Sequence, residues 1–458
     1  MKGKMRHTVI YTIVASLTLS GCHSLKSLRS DYQRPADIQT TRLAGHVNEA
    51  DYEALPQWRQ MFADPLLQQL IDSTLANNTD LLNADLKIQE AEEALHTAKL
   101  AFFPSVAFNP SGTISSFDFA KPTKAYSIPV AASWQVDIFG SLRNAKKRSE
   151  VVVELNKTSR QAIQTALVAN VASMYYTLEM LDREYGIAQE TADNWKETVR
   201  VIKALKEAGR ATQASVAQME GTYQSVLTQL EDLSESRVEI ENALCALMGE
   251  TPHAISRGKL DSWNAPVDFL QGIPVSLLGQ RPDVRIAEQN LAAAFYTVNQ
   301  SRAAFYPSLN LSGQAGWTNN AGMIINPGKM LLTAVASLTQ PIFANGQISA
   351  QYHIALAQQE EAKNSFQQTL INAGSEVNTY LAQLQNANKK RTLFDSQVKS
   401  YQEAVRSTDL LMRHGTTTYL EVLTAKQALL QAQLAQVANY NDEIQAVVNL
   451  YQALGGGN

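Results

Sequence analysis

Two cysteines and seven histidines have the widest chemical reach in this 458-residue chain. Cys22 has the clearest use. It follows Leu19-Ser20-Gly21, a lipobox, in which small residues precede the cleavage point and the thiol takes the lipid. Lys2, Lys4 and Arg6 precede the short apolar run Val9–Leu19, the pattern of a secretory signal. The histidines (His7, His23, His46, His96, His253, His353, His414) are scattered. None forms a His-Glu-x-x-His motif or a Cys/His cluster. There is no Gly-x-Ser-x-Gly. Gly322–Lys329 resembles a phosphate loop only loosely, being one residue too long with Met330 in place of Ser/Thr, and reads as a plain loop. The ten methionines are dispersed. The sequence therefore calls for no cofactor, no metal and no enzyme. Cys245 lies in an apolar helical stripe and reads as inert core.

The elements around these residues follow from composition and period. Net charge is -4, with no basic stripe, so nucleic acid is not an expected partner. Removing the signal takes three cations and no acids, leaving the mature chain more acidic. No run after residue 21 is long and apolar enough for a membrane helix. The anchor is then lipid on Cys22, where each buried methylene contributes about 0.8 kcal/mol. His23, rather than the Asp that commonly retains lipoproteins at the inner membrane, points to outer-membrane lipid.

The chain reads as two similar halves. Ala101-Phe102-Phe103-Pro104-Ser105-Val106 returns as Ala304-Phe305-Tyr306-Pro307-Ser308-Leu309, Ile138-Phe139 as Ile342-Phe343, and Gly209 as Gly415. The offset drifts only from roughly 203 to 207, which marks a duplicated structural unit. Division follows: signal peptide 1–21, lipidated arm 22–64, first repeat 65–250, equatorial linker 251–281, second repeat 282–458. The first repeat has a helix interrupted near Asn77-Asn78, a β-hairpin at 104–138, a long helix, a tip at 209 and a return helix. The second has a helix, a hairpin at 307–343, a long helix, a tip at 415 and a return helix.

Tyr126, Ile128, Val130, Ala132, Trp134, Val136 and Ile138 alternate with small or polar residues over about a dozen positions, right for a tilted membrane strand. The first strand, Pro104–Ser116, alternates through Val106, Phe108, Gly112 and Ile114. The second hairpin has Leu309, Leu311 and Trp317, a Gly/Asn/Pro-rich loop, then Leu332–Gln340. Trp134 and Trp317 are expected to face lipid. Leu142–Ala208 holds no Pro and one Gly, which predicts a helix of about 67 residues, near 100 Å. Its return helix carries Val216, Met219, Tyr223, Val226, Leu230 and Leu233 at alternating three and four spacing, a coiled-coil seam. The second return helix carries such a seam and an Ala425, Ala428, Ala432, Ala435 stripe, so it is expected to have neighbours on both sides, like a stave. Four strands cannot close a wide barrel, and an open sheet in lipid leaves backbone unpaired, so an oligomer sharing one barrel is expected.

Asp31-Tyr32-Gln33-Arg34-Pro35 after the lipobox, Trp134-Gln135-Val136-Asp137-Ile138-Phe139-Gly140, and Ile273 through Arg285 with its Arg281-Pro282-Asp283-Val284-Arg285 core together resemble the TolC family of outer-membrane factors. The likeness is strongest to the lipoprotein branch serving RND efflux pumps, and covers nearly the whole chain from residue 19. It implies an α+β membrane protein: a trimeric shared β-barrel, four strands per chain, continuous with a long α-helical coiled-coil barrel. It implies a homotrimer that docks a periplasmic adaptor (membrane fusion) protein and an inner-membrane RND transporter. Gly209, Arg210, Gly415 and Thr416 would sit at the adaptor-docking tips. The family often carries an acid six residues after each tip glycine; here Glu421 would constrict the pore, while Ser215 holds the other position. Arg413 and Lys426 could instead pair with Glu421 on its helix. Two other functions fit the sequence: the outer channel of an ABC-driven type I secretion system, and a lipoprotein scaffold without a pore. The neighbouring transporter gene separates the first, and single-channel conductance the second.

Overall fold

The computed structural model describes residues 28–35, 57–116, 118–260, 275–320, 324–414 and 416–456. The signal segment and Cys22 lie outside them. The principal helices are α1 (Pro65–Asn77), α2 (Thr79–Leu100), α3 (Ser141–Glu207), α4 (Gln213–Met248), α5 (Pro282–Ala303), α6 (Gln347–Arg413) and α7 (Tyr419–Ala453). The strands are β1 (Ser105–Phe108), β2 (Ser111–Ser115), β3 (Thr123–Val136), β4 (Ser308–Asn320) and β5 (Ile324–Thr339). Among the described residues, no helix is long and apolar enough to cross a membrane.

Contacts gather these elements into two units that cut across the sequential division into halves. The first holds Asp85–Thr158 and Arg285–Gln368 with the N-terminal described residues; the second holds Thr40–Ala84, Ser159–Val284 and Thr369–Asn458.

The first unit contains one antiparallel sheet. β1 and β2 both pair with β3, β3 with β4, and β4 with β5. The expected single first strand is broken at Asn109-Pro110. Pro110 has no N–H for the ladder, although the register on β3 continues unshifted past it. The second hairpin also departs from expectation. β4 runs to Asn320 and β5 begins at Ile324, so residues 324–329, the described part of the loose phosphate-loop match, are strand rather than loop; Gly322 and Met323 lie outside the described residues. The ladder shifts between Thr318 and Asn320, opposite the part of β5 that holds Pro327.

Register sorts the side chains by face. Phe108, Val130, Ala315 and Leu332 form one row across the strands, and Trp134, Leu311 and Ala336 another. Residues directly opposite share a face, so this face is apolar. The other carries Ser133 and Ser312, Gln135, Asn310 and Ser337. Both faces are open: Phe108, Ile114, Val130, Trp317, Met330 and Leu332 on the apolar face are exposed, as are Ser133, Gln135, Asn310, Ser312 and Ser337 on the other.

In the second unit, α1 and α2 part at Asn78. Its side-chain Oδ1 accepts from the N–H groups of Asp80 and Leu81, and its Nδ2 donates to the Leu247 carbonyl. α3 and α6 are each 67 residues long. α4 returns antiparallel along α3, with Lys203 paired to Glu220 and Arg237 to Asp182. The seam residues Val216, Met219, Val226, Leu230 and Leu233 pack on Leu181, Ala188, Trp195 and Ile202. α7 has neighbours on both sides, as its two stripes require. It meets α6 through Asn439 Nδ2 to the Ala387 carbonyl, and α3 through Gln445 Nε2 to the Ser173 carbonyl. The helix order is α4–α3–α7–α6. Cys245 is fully buried, as expected for core.

Charged networks bind this array. Arg257 bridges Asp182 and Glu241. The buried Arg281 joins Asp283, Glu376 on α6 and the Ala453 carbonyl at the end of α7. The Arg-Pro-Asp motif is thus a structural clamp. Tyr175 donates to Asp64 and accepts from the Gly258 N–H. Beside it, Glu179 is buried and its Oε1 has no hydrogen-bond partner.

Burial, then the nearby Asp64, pushes the Glu179 carboxyl up to about 7. In the unfolded chain it titrates near about 4.3. The stability from its neutral form is complete below the unfolded value and is lost as pH rises through about 7. Glu179→Gln should escape that loss. Thermal or denaturant unfolding should match the parent at pH 4 and favour the variant at pH 8, by on the order of 3 kcal/mol. Parallel pH profiles would contradict this.

Candidate functional site at the helix-hairpin tips

The turn between α3 and α4 is built by Gly209. The Gly209 N–H donates to the Lys206 carbonyl at 2.9 Å and the Arg210 N–H to Leu205 at 2.8 Å. This is a Schellman closure, and it needs the left-handed backbone that Gly209 adopts at φ 71°. Thr212 then caps α4: its side chain accepts from the Ser215 N–H at 3.1 Å, and the two hydroxyls lie 2.8 Å apart. Ser215 is buried. At this tip, the place where the family often has an acid belongs to the helix cap. Thr212 and Ser215, three apart, were the available signal.

The second tip closes in kind. The Thr416 N–H reaches the Leu411 carbonyl at 3.0 Å, and its hydroxyl donates to the same oxygen. Gly415 lies outside the described residues. Glu421 is exposed on the first turn of α7 and accepts from the Thr417 hydroxyl. Lys426 does not join it. It donates to Thr198 Oγ1 on α3 at 3.0 Å, stands 3.9 Å from Asp409 on α6, and lies over the Trp195 ring. The geometric reason is that α7 turns the Lys426 position toward its neighbours, not along its own exposed edge.

The two tips share one end of the helix array. Ala211 from the first and Tyr419 from the second pack against the same apolar cluster, which includes Ile202, Val216 and Leu423. Arg210, Thr416 and Glu421 are all exposed there. The resemblance singles out these residues; the Lys426–Thr198–Asp409 bridge, which sets one hairpin against the other, has no such signal in the sequence. Along α6, Ser375, Thr379, Gln383 and Asn386 form an exposed, uncharged polar face. Such a face suits contact with water. Among the described residues, no group of His, Cys, Asp or Glu could hold a metal.

A Cβ at Gly209 would meet nothing within 4 Å, so any substitution cost there is backbone strain. Gly209→Val should cost about 1–2 kcal/mol locally, and Gly209→Asn less, since Asn tolerates this backbone. Hydrogen exchange across the tip should accelerate for Val and change little for Asn. Equal protection in all three proteins would refute the strain argument.

The outer membrane efflux protein family model matches residues 70–250 and 273–456. Cation efflux system protein CusC of Escherichia coli (strain K12) is 29% identical over 96% of this chain and 98% of its own length. Toluene efflux pump outer membrane protein TtgC of Pseudomonas putida is 28% identical over 99% and 96% respectively. A crystal structure of CusC superposes with a TM-score of 0.84 at 27% identity, covering 93% of this chain and 99% of that one. With the sheet, the helix array and the paired tips, these matches lead to one conclusion: the chain belongs to the outer membrane efflux protein family.

Proposed function

We propose that this protein is the outer-membrane exit duct of a tripartite efflux pump, passively conducting small molecules from periplasm to exterior. Three copies share one β-barrel and one helical tunnel, each chain contributing four strands and its helix array. Lipid on Cys22 anchors the chain to the outer membrane. A periplasmic adaptor docks at the tips carrying Gly209, Arg210, Gly415 and Thr416, and an inner-membrane RND transporter supplies the energy.

The observation that carries this reading is the sheet's exposed apolar face, opposite a polar one. In water such a face is a large liability; in a barrel wall it is the lipid contact, with the polar face toward the lumen. Relatives named for cation and for toluene efflux support a duct that does not choose its cargo. They also favour small solutes over exported proteins. The exposed Leu410, Leu411 and Leu420 beside the second tip suit contact with a neighbouring copy or the adaptor.

Glu421 is the candidate constriction. Three-fold symmetry would bring three carboxylates toward one axis, concentrating cations as acidic rings do in cation pores. Ser215, buried in its cap, cannot add a second ring. Planar-bilayer recordings should show cation preference and block by multivalent cations, both weakened in Glu421→Gln. Channels with unchanged selectivity and block would remove Glu421 from the pore while leaving the duct. No conductance from inserted parent protein would defeat the duct itself.

A further inference from the structure

The junction between the two hairpins of one chain provides a template for the junction between chains. Phe139, just past β3, stacks on Tyr306, just before β4, with ring centroids 4.8 Å apart and planes 15° from parallel. The stack sits beside the start of the β3–β4 ladder, where Val136 faces Leu309. It closes the seam between the first hairpin and the second.

The sequence repeats both partners. Phe343 stands where Phe139 does, and Phe103 where Tyr306 does. The two positions also share local anchoring. Trp134 Nε1 donates to the Phe102 carbonyl in the first hairpin, and Gln340 Nε2 to the Phe305 carbonyl in the second, each at 2.9 Å. Yet Phe343 is 84% exposed and Phe103 67% exposed. Each carries a six-membered aromatic ring, as its counterpart does, Phe103 lacking only the hydroxyl of Tyr306, and no ring is stacked on either among the described contacts. β5 and β1/β2 likewise have open outer edges within the chain.

Resting on the shared-barrel reading, we infer that β5 of one copy pairs with β1 and β2 of the next, and that Phe343 stacks on the partner subunit's Phe103. The within-chain template sets the register. Trp134 opposite Leu311 becomes Leu338 opposite Phe108 of the partner subunit; Ile128 opposite Trp317 becomes Leu332 opposite Ile114 of the partner subunit. Both new pairs fall on the apolar face, where these residues already lie within their own chain. A slip by one residue would send every side chain to the wrong face. An offset or stacked aromatic pair adds about 0.5–1.5 kcal/mol beyond its buried area. The seam would thus be locked by rings at the base of each ladder, alternating within and between chains. The occupant is another copy of this chain, because only it offers both the complementary strand edge and the matching ring.

The test uses full-length protein in a Cys245→Ala background, Cys22 being acylated. Phe103→Cys with Phe343→Cys is treated with a short bifunctional thiol reagent. Phe139→Cys with Tyr306→Cys calibrates the reagent's reach within one chain. Phe108→Cys with Leu338→Cys, which keeps both rings, tests the register by direct disulfide formation. Native mass spectrometry reports assembly independently. We expect covalent ladders ending at three chains from both intermolecular pairs, and none from the single variants. Intact trimers without ladders would overturn the seam but leave the shared barrel, with Phe103 and Phe343 then serving as an aromatic girdle in lipid. Monomers by native mass would overturn the shared barrel, and this inference with it.

Discussion

A sheet placed in hydrocarbon must satisfy every backbone N–H and C=O from within, because lipid offers no hydrogen bonds. On the proposed reading, that requirement governs this molecule. The described sheet has an apolar face with nothing over it and two edges with no strand beside them. An edge strand exposed in water can be blunted with charge or proline. Here Pro110 interrupts the first edge and Pro327 lies near the start of the other, but neither protects the edge along its length. On the proposed reading the edges are met by other copies, and closure turns the apolar face into a lipid contact.

The helix array repeats the problem in a milder form. Coiled-coil seams join each helix to its neighbour, and the two inner helices have partners on both sides: α3 meets α4 and α7, and α7 meets α3 and α6. α4 and α6 end the row, and exposed Val238, Leu393, Leu410 and Leu411 mark its open sides. Water can satisfy exposed helix surfaces, so the open sides of this array demand less than a sheet edge would in lipid. What holds its members in register is polar. Arg281 ties α6 and α7 to the start of α5, and Lys426 ties α7 to both α3 and α6. A buried guanidinium with several partners fixes a single arrangement, because any sliding leaves charge unpaired.

The long elements were legible because their signals are dense. A stretch without Pro and with a single Gly can hardly be anything but helix, and Ser141–Glu207 matches it to within a residue at each end. Period-two alternation likewise located β3. The hairpins were less legible. Asn109-Pro110 breaks a strand whose alternation continues across it, and Asn326-Pro327-Gly328 sits in a strand despite turn composition. In both places neighbouring strands decide, and a single-chain pattern does not show neighbours. At the tips, Gly209 announced its own backbone. Ser215 did not announce that it had become a cap, nor Lys426 that it would bridge three helices, since those roles depend on which helices pack together.

The central claim is that the apolar sheet face lies against lipid. Variants keeping only Trp134 or only Trp317, reconstituted in bilayers with nitroxide-labelled lipids, test it most directly. Both side chains are exposed on that face. The account predicts strong quenching of each tryptophan by acyl-chain nitroxides, and little quenching by water-soluble agents. Emission unaffected by the lipid label but quenched from water would show the sheet to be a soluble domain.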